Sequence, residues 1–122
     1  MPDAAAHPEL AAAAALSERA QQHLLAGLDR EAVGSCRDLL AELKKLPGAD
    51  LPDPTGDQKA WSKADRASEL RKALTVLTHP ARHRDEDAAR ILWSRIDARA
   101  VITMTAGLRT ELMADEARAA AF

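Results

Sequence analysis

Tyrosine is missing from this chain, phenylalanine occurs once, and Trp61 and Trp93 complete its aromatic set. Valine and isoleucine are scarce as well, with three of each against sixteen leucines. Sheets are built from β-branched and aromatic residues that fit a pleated, half-buried surface. Their scarcity argues against any sheet-rich fold. A single cysteine, Cys36, excludes an intramolecular disulfide and any zinc site made of several cysteines. Five glycines are scattered, and none forms a phosphate-cradling loop after a strand. No run reaches the ~18 apolar residues of a membrane span, and the first residues lack the basic-then-apolar order of a secretory signal. No membrane association is expected, and a cytoplasmic location is the default.

What the chain has in quantity is alanine, 28 of 122 residues. Alanine and leucine lose little side-chain freedom in a helix, so an all-α fold is expected before any periodicity is read. At 13.1 kDa, one helical domain over residues 1–122 is the natural size. Alanine buries little area per residue, so the core is thinner than 47% hydrophobic content suggests. Self-association is a natural way to make up that deficit. Charge is plentiful but balanced, with a net of −2. A duplex-binding domain usually carries a clustered basic excess, so nucleic acid is not the expected main partner. Twelve arginines against five lysines, with so much alanine, fit a GC-rich bacterial gene.

The periodicity predicts a bundle of about four helices in two antiparallel hairpins, with residues 1–7 frayed. The first helix runs from about Pro8 to Ala26, with Leu10, Ala13, Ala20, Leu24 and Leu28 near one face and Gly27 as its stop. Asp29 is read as the N-cap of a second helix, about Arg30 to Leu46. Its stripe is Val33, Cys36, Leu40, Leu43 and Leu46, with Leu39 beside it. The connection between the two is too short for anything but an antiparallel hairpin. Residues 47–57 carry three prolines and two glycines and must be irregular. Thr55 and Gln58 have capping-box spacing, so a third helix is expected from near Asp57. Trp61 falls in its first turn, and Ala64, Ala67, Leu70, Ala73, Leu74 and Leu77 point inward. It should end near Thr78, because the residue before Pro80 is pushed out of the helical region.

A fourth helix is expected from Pro80 onward. To Phe122 that is about 40 residues, or ~60 Å, against some 26–32 Å for the others by the same rise. Either it breaks near Gly107, where poor helix formers gather, or it projects beyond the bundle. Its middle is apolar on two sides. Leu92, Trp93, Ile96, Ala100 and Met104 mark one, and Ile91, Ala98 and Ile102 the other. Such a helix is central or lies against a partner. Ile91, Trp93, Ile102, Met104, Leu108 and Leu112 are therefore candidate interface residues, with part of the set covered by a second chain or by a fold-back after Gly107.

One dense polar constellation stands out. On a continuous helix His79, His83 and Asp87 would align at i, i+4 and i+8, a donor set that suits zinc, iron or nickel. The segment lacks the glutamate a metalloprotease uses as base, and Pro80 lies within it. The simpler reading is a mixed-charge, solvent-facing helix start. Cys36 sits on an apolar stripe, where a thiol is inert core. No serine has a histidine at a nucleophile's spacing, and no catalytic apparatus or cofactor is expected. The leading functional expectation is a small protein–protein interaction module or adaptor, self-associating or docked on a larger partner. The alternatives are an antitoxin-like regulator whose Arg82, Arg84, Arg90, Arg95 and Arg99 meet nucleic acid or an effector, and a His/carboxylate metal-binding protein.

Overall fold

The computed structural model describes residues 8–45, 55–83 and 86–121, with 9, 64, 86, 87 and 111–121 described by backbone alone. It is all-α: α1 (Pro8–Leu25), α2 (Asp29–Leu43), α3 (Lys63–Thr78), a single-turn α4 (Glu86–Ala89) and α5 (Arg95–Ala121). No strand occurs among the described residues.

The first hairpin follows the sequence closely. Gly27 takes a left-handed φ of 77°, which only glycine adopts without strain. Its N–H donates to the Leu24 carbonyl (3.1 Å) and that of Leu28 to the His23 carbonyl (2.9 Å). These are the paired bonds of a Schellman stop. Asp29, however, does not cap α2. The position before the helix is Leu28, which has no side-chain acceptor, and Asp29 Oδ1 is buried without a hydrogen-bond partner. Leu28 is half exposed rather than in the core.

The central helix is α2, not the last one. It packs against α1, α3, α5 and the 3₁₀ turn at His79–Ala81, and Ala32, Val33, Gly34, Ser35 and Cys36 are buried in succession. Cys36, Leu40 and Leu43 are all buried as expected, but in three separate clusters. Cys36 packs with Ala20, Leu24, Val33, Ala98, Val101 and Ile102. Leu43 joins Ala13 and Leu39, and Leu40 joins Leu74 and Leu108. Leu46 and residues 47–54 lie outside the described residues; 55–57 are irregular.

The third helix starts later than expected. Asp57 accepts from the Lys59 N–H (3.0 Å) and opens only a 3₁₀ turn, Gln58–Ala60. The capping box belongs to Ser62 and Asp65: Asp65 N–H donates to Ser62 Oγ (3.1 Å) and Ser62 N–H to Asp65 Oδ2 (3.0 Å). Trp61 therefore precedes α3, its Nε1 donating to the Thr55 carbonyl (3.1 Å). The inward set also shrinks. Leu74 is buried and Ala67 half-buried, while Leu70, Ala73 and Leu77 are exposed.

α3 ends at Thr78 as expected, for a different reason. His79 keeps helical angles (φ −51°, ψ −47°), so it is the N–H missing at Pro80 that ends the ladder. A 3₁₀ turn, His79–Ala81, follows. No helix runs on from Pro80. The break falls between Ala89 and Arg95, and α5 then continues unbroken through Gly107 for 27 residues. Its start repeats that of α3. Ser94 N–H donates to Asp97 Oδ2 (3.0 Å), and Asp97 N–H to Ser94 Oγ (3.1 Å). Trp61-Ser62-Lys63-Ala64-Asp65 and Trp93-Ser94-Arg95-Ile96-Asp97 are thus the same device used twice. The threonines after it do not break α5, because Thr103, Thr105 and Thr110 each donate to the carbonyl four residues back.

Three arginines tie the first hairpin to the connection between α3 and α5. Arg30 donates to the Pro80 and His83 carbonyls (2.9 and 3.0 Å). Arg82 returns across α2 to Asp38 (2.9 Å) and Glu31 (3.3 Å). Arg95 donates to the Leu24 carbonyl at the end of α1 (2.9 Å), where a cation also complements the helix dipole.

Candidate interaction surface

α3 and α5 run antiparallel and leave an apolar face that no other described element covers. At one end a hollow of about 250 Å³ is lined by Leu77, Ile91, Leu92, Trp93, Ala100 and Met104, with Asp97 at its edge. At the other end a wider one of about 480 Å³ is lined by Ala67, Leu70, Met104, Gly107 and Leu108, bordered by Lys63 and Arg66. Met104 lines both. Leu92 and Ile96 stand 88% and 80% exposed, far beyond what a packed helix start usually shows. Single exposed leucines are ordinary; a run of them along two adjacent elements is not.

The candidate interface residues divide. Ile91, Trp93 and Met104 line the face. Ile102 and Leu108, at 6% and 5% exposed, are covered within the chain itself by α1, α2 and α3. The side chain of Leu112 lies outside the described residues. No fold-back after Gly107 is needed to cover Ile102, since α5 turns its Ala98–Val101–Ile102–Thr105–Leu108 stripe inward. Sequence reasoning passed over Leu70 and Leu77, which it placed in the core. It had marked Leu92 and Ile96 only as one of two apolar sides. No signal in the pattern separates those sides, and the buried one even carries a threonine.

Elsewhere the polar candidates are placed as follows. His79 lies in the 3₁₀ turn and His83 beyond it, so the expected helical line through His79, His83 and Asp87 does not form. The two imidazoles stack with centroids 3.6 Å apart. Ring nitrogens donate their lone pairs in the ring plane, and stacked planes run those directions side by side. Asp87's side chain is outside the described residues. Among those described, no group of three or more His, Cys, Asp or Glu could hold a metal ion. Cys36 is buried, and burial pushes its thiol up to about 11 against an opposite pull from the Thr105 hydroxyl. Of the arginines considered for a phosphate backbone, Arg82 and Arg95 are engaged within the fold as described above. Arg90 and Arg99 are exposed, and Arg84 lies outside the described residues. No helix among the described residues is long and apolar enough to cross a membrane.

No known protein family matches the chain, and comparison with curated proteins and with solved structures finds no match either.

Proposed function

We propose that this protein is a small helical interaction module that docks on protein through the α3–α5 face. The observation that carries the reading is Leu92, 88% exposed at an apolar hollow, with Ile96 80% exposed in the first turn of α5. Leaving such side chains in water forgoes roughly 1.5–3 kcal/mol each, a cost that a docking partner removes. A cytoplasmic setting goes with this reading. The test is site-specific photocrosslinking in cells. A benzophenone side chain at position 92 or 96 should give discrete protein adducts. The same group at Ala41, an exposed position on α2, should give none. Equal, diffuse labelling from all three positions would end the proposal.

A further inference from the structure

The α3–α5 face carries a projection at one end and a matching vacancy at the other. Leu92 projects from the extended segment between α4 and α5. The hollow beside Gly107 has an apolar floor of Ala67, Leu70, Met104 and Leu108. Among the described residues, nothing outside Gly107's own stretch of helix stands within 4 Å of the place a Cβ on Gly107 would occupy. Leu92 lines the other hollow and not the one beside Gly107, so it does not fill the Gly107 hollow of its own chain.

We infer that the occupant of this face is a second copy of the chain, related by a two-fold axis near Met104, with Leu92 of each copy seated beside Gly107 of the other. The inference rests on the docking role proposed above and names its partner. A two-fold axis makes every contact twice, so one operation places both projections in both hollows. It also matches charge. Lys63 and Arg66 border the Gly107 hollow, and Asp97 edges the other. Antiparallel superposition about the two-fold axis sets Lys63 and Arg66 of each copy near Asp97 of the other, while the parallel arrangement opposes like charges. With a net charge of −2, the chain has little self-repulsion to overcome.

Area points the same way. Leu70, Leu77, Ile91, Leu92, Ile96 and Met104 stand between 37% and 88% exposed, a run of apolar side chains of the kind that a standard interface of ~800 Å² per partner covers. Two antiparallel helices on each copy would then meet as a four-helix bundle, with Ala100 and Gly107 admitting close approach.

The experiment is light scattering and sedimentation on the full chain over a wide concentration range, with circular dichroism as the folding control. The wild type should form a dimer. Leu92→Asp removes the projection and Gly107→Phe fills the hollow, and each should raise the dimer dissociation constant about tenfold or more. Both positions are open to solvent, so helicity should hold. The decisive arm is the mixture. A heterodimer of the two variants keeps one intact Leu92–Gly107 contact, so the mixture should associate more tightly than either variant alone. A wild type that stays monomeric, a dimer indifferent to both substitutions, or a mixture no tighter than its components overturns the inference. Crosslinks from position 92 that reach only other proteins would overturn it while leaving the docking function standing. Absence of any adduct removes both.

Discussion

At the scale of single residues, Gly34 and Arg82 show how a local cost and a local gain can cancel. Gly34 is buried in the middle of α2, where glycine costs about 1 kcal/mol against alanine. A Cβ there would lie 2.6 Å from Arg82 Cζ and 2.8 Å from its Nε, so the guanidinium reaches Asp38 and Glu31 only because the methyl is missing. Those ion pairs are partly exposed and contribute at most about 1 kcal/mol. Gly34→Ala should therefore leave stability nearly unchanged in the wild type, yet stabilise an Arg82→Ala protein by about 1 kcal/mol. Urea titrations of the four proteins in the cycle give the coupling directly, and an additive result would mean that the close approach carries no energy. Cys36 supplies a pH dependence. An unfolded thiol titrates near 9.0 and the folded one at about 11, because burial opposes the thiolate. Below the first value both states hold the proton and stability is insensitive to this group. Between the two values only the unfolded chain releases it, so stability falls as pH rises, by roughly 1.4 kcal/mol per unit at most. Cys36→Ala should abolish that alkaline slope, as denaturant melts of both proteins from pH 8 to about 10.5 would show.

At the scale of elements, the two serine–aspartate boxes decide where α3 and α5 begin. Ser62→Ala or Ser94→Ala removes one acceptor and frees an N–H, at a cost of about 1 kcal/mol each. Ser94 should cost more, because α5 supplies Ala98, Val101 and Ile102 to the main core whereas α3 supplies Leu74 to the smaller cluster of Leu40 and Leu108. Equal losses in chemical denaturation would indicate that the caps act locally and do not position the core. These starts also mark how far the elements were legible in sequence. The α1–α2 hairpin could be read because its stop needs a left-handed residue and Gly27 is there to provide it. The all-α composition excluded every competing class. The start of α3 was misread because Thr55 and Gln58 have the right spacing but Gln58 opens only a 3₁₀ turn, and the true box lies seven residues on. The start of α5 was misread because Pro80 is permitted in the first turn of a helix, which says only that one can begin there. The inward face of α5 could not be read at all. Two parallel apolar stripes run along it, and choosing between them requires knowing that α2, not α5, is central.

At the scale of the whole molecule, those stripes divide labour between holding the fold and meeting a partner, and two aspartates can tell them apart. Ile102 is enclosed by Ala20, Leu24, Cys36 and Val101. A carboxylate there has no cation among these neighbours, and an unpaired buried charge costs several kcal/mol. Small domains hold only ~5–15 kcal/mol in total, and a core built largely of alanine belongs at the lower end. Ile102→Asp should therefore unfold the chain even at high dilution, with helical circular dichroism lost at room temperature. Leu92→Asp places its charge in water, where nothing is desolvated, and should leave the dilute monomer's melting temperature within a few degrees of wild type, a shift of under about 1 kcal/mol. The contrast assigns each stripe its role without reference to any partner. If Ile102→Asp instead kept its helicity in dilute solution, the inward turn of α5 would be wrong. The surface between α3 and α5 would then have to be redrawn around the opposite stripe.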